Sequence, residues 1–247
     1  MSAAAGPVPL PGKIQPMRIL VNRFLFASWA TLALAVVPAH ASTLTPCAAA
    51  PSDSMISYLV RQAPGLRSNV LRLAINAADC ATNRGLVRRR GLLTVIDYSL
   101  PSSEPRLFTF DLVSRKLLFR ELVAHGKNSG GDVASFFSNS SGSLATSLGL
   151  YVTEDTYNGH NGYSLRLRGL EEGFNDMASS RAIVMHGASY VSSEAIKVLG
   201  RLGRSWGCPA VRQEIAHKMI DTLRGGTPVF AYYPEKSWLT SSAFFRQ

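Results

Sequence analysis

The stretch GRSWGCPAVR, residues 203–212, sets a cysteine between a glycine and a proline. Since proline is favoured in the first turn of a helix, Pro209 predicts that Cys208 lies at or beside a helix N-cap. The positive end of the helix dipole would favour a thiolate over a thiol at that position. Apolar residues at helical spacing support the prediction: Val211, Ile215, Met219 and Leu223. The stretch therefore predicts a turn and a helix, with a nucleophilic cysteine between them.

His186 is the candidate base for this nucleophile. It follows residues 181–185, which have the pattern of a buried strand, and it precedes Gly187. A histidine at a strand end, beside a small residue, suits general acid–base work in a cleft. Gly207 leaves room for a substrate carbonyl, and the backbone N–H groups around it are candidates to hold an oxyanion. Contact between Cys208 and His186 does not follow from their order in the sequence, because catalytic partners meet only in the fold.

These residues resemble the motif of the L,D-transpeptidases (YkuD-like), in which a histidine precedes a Ser/Thr-His-Gly-Cys run. His186-Gly187 and residues 205–208 carry the resemblance, which is stronger to the murein L,D-transpeptidase catalytic domain family. The resemblance extends over residues 92–233. Two departures stand out, because Trp206 replaces the motif histidine and Ala210 stands where Asn or Arg usually follows. Further runs typical of the family lie at residues 123–130, 137–139, 147–149 and 162–165.

The resemblance implies a mainly β (α+β) fold, the mixed β-sandwich of L,D-transpeptidases, here with a short helical N-terminal section. It implies acyl transfer on peptidoglycan stem peptides through a thioester on Cys208, with His186 moving the proton. The acceptor would be an amine of a second stem, or a lysine of an outer-membrane lipoprotein. No cofactor is implied, and carbapenems are expected to acylate the same thiol.

Other residues receive supporting roles. Oxyanion or turn roles fall to three residues: Gly207, Ser205 and Gly187. Substrate contacts fall to four more, with Arg212 as the candidate for a substrate carboxylate: Arg212, Arg204, His125 and Trp206. Ser205 has a second reading, in which its hydroxyl only stabilises the turn. His125 also ends a strand and precedes a glycine, so it is the rival to His186 as base.

Two further classes of function stay open. A cell-wall cysteine peptidase or carboxypeptidase would use the same cysteine and histidine with water as acceptor. A catalytically silent wall-binding protein is the other class, since Trp206 takes the place of the motif histidine. A metal site is not indicated, because the sequence lacks paired spacings such as Cys-x-x-Cys.

Residues 1–41 are predicted to be a signal peptide. Lys13, Arg18 and Arg23 form a basic region without acidic residues, and residues 24–37 are an apolar run. This run is shorter than the ~20 residues of a membrane-spanning helix, so a retained span is not expected. Cleavage is expected near Ala41, which predicts a secreted or periplasmic protein.

Cysteine count and charge fit export. An oxidising compartment permits disulfides, and the simplest arrangement joins Cys47 to Cys80 and leaves Cys208 free. The formal net charge of +10 falls to +7 without the signal peptide, which can steer the chain to anionic surfaces. Nucleic acid is not indicated, because the basic residues are dispersed apart from residues 88–90.

Periodicity divides the rest of the chain. Residues 42–90 are predicted as a helical section with apolar stripes over 52–83, residues 91–235 as the catalytic domain, and residues 236–247 as a tail. Within 126–149, Gly, Ser and Asn dominate, so this segment is interpreted either as a functional loop lining a cleft or as a plain surface loop. Alternating patterns predict strands at 92–98, 107–112, 117–124, 163–168 and 228–233.

Overall fold

The computed structural model describes Cys47 and residues 51–245. The predicted signal peptide, its cleavage site near Ala41 and most of residues 42–50 lie outside the described residues. No helix in the described part of the chain is long and apolar enough to cross a membrane.

Two helices precede the strands, α1 at Asp53–Gln62 and α2 at Ser68–Asn83. The hydroxyl of Ser52 accepts the N–H of Met55 at 3.3 Å and so caps α1. Both apolar stripes are buried, and they share one core with residues of the first and last strands. The expected disulfide between Cys47 and Cys80 is confirmed. The helical section is therefore part of the folded core.

Nine strands form one mixed sheet in the described residues. They are β1 (Leu92–Asp97), β2 (Leu107–Asp111), β3 (Lys116–Glu121), β4 (Val123–Ala124), β5 (Gly149–Gly159), β6 (Gly162–Gly169), β7 (Val184–Ala188), β8 (Ala210–Arg212) and β9 (Pro228–Tyr232). The other helical segments are a 3₁₀ turn (Lys127–Ser129), α3 (Ser193–Leu199), α4 (Gln213–Leu223) and α5 (Lys236–Ser241). The predicted mainly β class with N-terminal helices is confirmed.

The strand order is β3-β2-β1-β9-β5-β6-β7-β8-β4, with parallel pairs at β1/β9 and β7/β8. Strands β3 and β4 occupy opposite ends of this order, although only Leu122 separates them in the chain. Because one residue spans only a few ångströms, the sheet must curl until its two ends meet. The curled sheet surrounds a second core that includes Leu107, Met185 and Val229.

The C-terminal residues do not form an extended tail. Helix α5 begins at Lys236, and Trp238 within it is fully buried. The Trp238 indole N–H donates to the carboxylate of Glu171 at 2.8 Å, which satisfies a buried donor. This end of the chain therefore completes the core beside α1 and α2.

Candidate active site

Cys208 lies in a turn before a strand, and the predicted helix N-cap is wrong. Residues 210–212 form β8, and α4 begins only at Gln213. Ladder pairing with β7 on one side and β4 on the other keeps β8 extended. Since a helix dipole acts only within the first turn, it does not activate the Cys208 thiol.

The Cys208 thiol is free and retains 8% of its surface exposed. Its sulfur accepts the N–H of Val184 at 3.5 Å, and its S–H points at the carbonyl of Ala182 at 3.8 Å. Burial raises the pKa of this thiol, while the Val184 N–H and the positive charge of Arg181 lower it. A neighbouring base is therefore needed to form the thiolate.

His186 lies on β7 and pairs with Ala210, two residues after the cysteine. Its Nδ1 is 3.0 Å from the carbonyl oxygen of Gly187. Because a carbonyl only accepts, Nδ1 carries the hydrogen and Nε2 keeps its lone pair. Burial lowers the pKa of His186, so the ring is neutral at pH 7. The Cys208 sulfur contacts the N–H of Val184, which lies on the same strand two residues before His186.

Ser205 stabilises the turn from within. Its hydroxyl donates to the carbonyl of Cys208 at 2.6 Å and accepts the N–H of Gly207 at 3.1 Å. These two bonds agree with the turn-stabilising reading of Ser205. They also occupy the N–H of Gly207, whereas the N–H of Cys208 has no acceptor among the residues described. The Cys208 amide is therefore a candidate backbone donor for an oxyanion.

Gly187 is required by packing. A Cβ atom at this position would lie 2.8 Å from the Cβ of Ala216 in α4, too close for an ordinary contact. The missing side chain lets α4 pack directly on β7. Its carbonyl also fixes the tautomer of His186, so Gly187 acts on the site through the backbone.

The 126–149 loop lies against the cysteine turn. Lys127 donates its N–H to the carbonyl of Ser205 at 2.8 Å. The Thr146 hydroxyl accepts the N–H of Gly126 at 2.9 Å and donates to the carbonyl of Gly207 at 3.3 Å. These bonds join both ends of the loop to the turn that carries Cys208.

A family of L,D-transpeptidase catalytic domains matches residues 62–232. The chain belongs to this family. The match begins at the last residue of α1 and includes α2, outside the 91–235 range predicted for the catalytic domain. No curated protein matches the chain.

Solved structures similar to this transpeptidase-family chain include an L,D-transpeptidase from Mycobacterium smegmatis, at 13% identity and a TM-score of 0.36 over 58% of this chain and 59% of that one. An L,D-transpeptidase from Mycobacterium tuberculosis H37Rv has 17% identity and a TM-score of 0.33, over 58% of each chain. The helical cell shape determining protein Pgp2 from Campylobacter jejuni has 14% identity and a TM-score of 0.39, over 67% of this chain and 57% of that one. The match thus covers less than two thirds of each of these structures.

Both arginines predicted to contact substrate have partners within this L,D-transpeptidase domain. Arg212 makes two hydrogen bonds to the carboxylate of Glu121, at 2.8 and 2.9 Å. Because its guanidinium already binds this carboxylate, the contact of Arg212 with a substrate carboxylate stays a prediction. Arg204 donates to the carbonyls of Gly130 at 2.7 Å and Lys127 at 3.3 Å, so it holds the 126–149 loop.

His125 and Trp206, the other two predicted substrate contacts, differ in their exposure to solvent. His125 is fully buried, and its Nδ1 lies 2.7 Å from the guanidinium of Arg106. Burial and this neighbouring charge lower the pKa of His125 to about 4. The ring does not reach the surface in this structure, and the substrate contact of His125 stays a prediction. Trp206 is 75% exposed, and its contact with substrate stays a prediction.

Several residues near Cys208 have no motif that would have revealed them. Arg181 stands three residues before β7, and its charge acts on the thiol. Burial, followed by the charge of Cys208, raises the pKa of Tyr190 to about 12. The backbone carbonyl of Tyr190 accepts the N–H of Gly203 at 2.9 Å. Among the described residues, no group of three or more His, Cys, Asp and Glu side chains is arranged to hold a metal.

Proposed function

We propose that the chain is an L,D-transpeptidase that acts on peptidoglycan stem peptides, with Cys208 as nucleophile and His186 as general base and acid. The observation that carries this proposal is a free thiol on the cysteine turn whose sulfur contacts β7, the strand that also carries the neutral imidazole of His186. Membership of an L,D-transpeptidase catalytic domain family supports this reaction class. The tautomer of His186 adds support, because Nε2 is left able to accept a proton.

The first half-reaction forms a thioester. His186 Nε2 takes the proton of the Cys208 thiol, and the sulfur attacks the carbonyl carbon at the L-centre of the third stem residue. The Cys208 N–H donates to the oxygen as it becomes an oxyanion. When this intermediate collapses, the C–N bond breaks and the imidazolium gives its proton to the departing amine of the terminal D-amino acid.

The second half-reaction releases the enzyme. An amine of a second stem, or a lysine of an outer-membrane lipoprotein, attacks the thioester carbonyl and loses a proton to His186. A C–N bond forms, the C–S bond breaks and the proton returns to sulfur. Water in place of the amine would give a shortened stem, which is the carboxypeptidase outcome.

The site of action is proposed to be outside the cytoplasmic membrane. This proposal rests on residues 1–41, which have the pattern of a signal peptide, and on the Cys47–Cys80 disulfide. The excess of positive charge favours approach to anionic wall surfaces. N-terminal sequencing of protein recovered from a periplasmic fraction should begin at Ser42, whereas a cytoplasmic, uncleaved chain would contradict this localisation.

Turnover of purified muropeptides, followed by mass spectrometry, tests the function. The wild type should produce crosslinked dimers and a thioester adduct on Cys208. The Cys208→Ala variant should produce neither, and His186→Gln should be at least ~100-fold slower. His160→Gln is the matched control, because His160 is exposed. Shortened stems without dimers would indicate a carboxypeptidase. A folded wild type that forms no adduct with substrate or a carbapenem would indicate a silent wall-binding protein.

A further inference from the structure

Arg181 makes four hydrogen bonds to a single segment of the 126–149 loop. Its guanidinium donates to the carbonyls of Ser138 at 2.8 Å and Ala145 at 2.6 Å. It also donates to the hydroxyls of Ser147 at 2.5 Å and Ser143 at 3.1 Å. Because a guanidinium group is planar and rigid, one that binds four acceptors fixes their relative positions. The loop is therefore held at both ends of residues 138–147 by one side chain.

The same guanidinium lies beside the residue that precedes the cysteine. A Cβ atom placed on Gly207 would be 3.2 Å from one guanidinium nitrogen of Arg181 and 2.8 Å from the carbonyl oxygen of Ala145. The carbonyl of Ala145 therefore accepts a hydrogen bond from Arg181 and also packs against Gly207. Any displacement of the arginine would shift this contact and, with it, the backbone that leads to Cys208.

The backbone after Arg181 contacts the sulfur itself. Ala182 has a φ of 53°, in the left-handed region that residues with a Cβ rarely adopt. This conformation accompanies the approach of the Ala182 carbonyl to Cys208 Sγ at 3.8 Å, with the Val184 N–H at 3.5 Å. Arg181 thus anchors the segment that forms one wall around the thiol.

Arg181 also supplies positive charge to this wall. The titratable and charged groups that face Cys208 are Arg181, Tyr98 and Tyr190, with His186 on the adjoining strand. The tyrosines and the histidine are neutral at pH 7, so Arg181 is the cation of this set. Its charge lowers the pKa of the thiol, against the effect of burial.

We infer that Arg181 is a positioning residue of the active site, which clamps the 126–149 loop on the cysteine turn and stabilises the Cys208 thiolate by its charge. The inference rests on the proposed role of Cys208 as nucleophile. It assigns a function to an arginine that lies outside the His-Gly and Ser-x-Gly-Cys motifs.

The test is the rate of Cys208 alkylation by iodoacetamide between pH 5 and 10, on the full chain without reductant. Cys208 is the free thiol among the described cysteines, so the profile gives its apparent pKa. Arg181→Gln should raise this pKa by about one unit and slow alkylation at neutral pH about tenfold. Arg181→Lys keeps the charge and should stay within about 0.3 of the wild-type pKa. Arg168→Gln, which removes a half-exposed arginine paired with Glu154, is the matched control and should leave the profile unchanged.

A folded Arg181→Gln variant with the wild-type pKa would overturn the inference. If this variant does not fold, the Arg181→Lys variant tests the role of Arg181 in holding the loop. The lysine amine has too few donors to bind all four acceptors. In Arg181→Lys, the rate of amide hydrogen exchange over residues 138–147 should be at least about tenfold higher than in the wild type. An exchange rate equal to that of the wild type would contradict the role of Arg181 in holding the loop. Alkylation needs no peptidoglycan, so a wild type without transpeptidation would refute the proposed function and leave this test valid.

Discussion

The guanidinium of Arg106 lies 2.7 Å from Nδ1 of His125, and both side chains are fully buried. Since arginine only donates, Nδ1 accepts and the hydrogen of this imidazole sits on Nε2. Arg106 also donates to the carbonyls of Val123 at 2.9 Å and Leu100 at 2.8 Å. The pair therefore ties β4 to the segment before β2, at the place where the two ends of the sheet meet.

Because Arg106 and burial disfavour protonation of His125, the protein is expected to lose stability in acid. The native His125 binds a proton only near pH 4, whereas the ring of the unfolded chain binds one near its ordinary pKa of 6.5. Because the unfolded state takes up more protons between these values, the free energy of unfolding should fall by up to about 3 kcal/mol as the pH drops from 6.5 to 4. Urea unfolding at several pH values measures this change.

The His125→Gln variant should flatten this pH dependence, because glutamine offers Arg106 an acceptor that does not titrate in the range. His160→Gln is the control, since His160 is exposed and should leave the slope unaltered. An unchanged slope in His125→Gln would show that the buried imidazole is not the source.

The ion pair between Arg212 and Glu121 predicts a structural effect without a substrate effect. Arg212→Ala should lower the free energy of unfolding by about 1 kcal/mol, a modest value because the Arg212 side chain is 40% exposed. The KM for stem peptides should stay within about twofold of wild type, since the arginine is already engaged. A tenfold higher KM of Arg212→Ala, with unchanged stability, would instead indicate that Arg212 binds the substrate.

Replacement of Gly207 by alanine is expected to cause a steric clash. Its φ of 124° is unfavourable for any residue with a Cβ, and the added atom would lie 2.8 Å from the carbonyl oxygen of Ala145. Gly207→Ala should cost about 2–3 kcal/mol of stability and slow alkylation of Cys208. Gly142→Ala isolates the backbone effect, because Gly142 has a φ of 70° with open space around it. Its cost should be about 1 kcal/mol, measured by thermal unfolding. Equal costs for the two variants would rule out the clash.

Replacement of Trp206 by alanine is expected to change the KM for substrate and to leave the stability of the protein unchanged. With 75% of its surface exposed, Trp206→Ala should change the free energy of unfolding by less than about 0.5 kcal/mol. An aromatic ring beside the nucleophile should contact the stem peptide, so the KM should rise several-fold. Val198→Ala, at an equally exposed apolar position away from the turn, should change neither quantity. An unchanged KM in Trp206→Ala would remove Trp206 from substrate binding.

Local pattern predicted much of the fold. The apolar stripes of α1 and α2 match the burial of these helices. The β2–β3 hairpin and the strand at Pro228–Tyr232 lie where they were predicted, although four of the five residues of β2 and all of β9 are buried and do not alternate. Strand β5 escaped notice, because its second half, from Glu154 onward, is only partly buried and lacks a clear alternation. Helix α5 was missed because six residues give too short a pattern.

The start of the helix after Cys208 shows where local reasoning fails. Pro209 and the apolar spacing favoured a helix from Pro209, yet residues 210–212 join a ladder with β7 and β4. Strand pairing depends on segments that are distant in sequence, so the cysteine turn could not be located from its own residues. The partners of Arg212 and Arg181 were hidden for the same reason, because both lie on other parts of the sheet or loop.

The middle of the sheet is completed last during synthesis. Strand β9 follows every other strand in the chain, yet it lies between β1 and β5, where it pairs with both. While the ribosome has not yet produced residues 228–232, β1 and β5 each lack a neighbour on one side. Folding therefore awaits the C-terminal part of the chain and is expected to be slow.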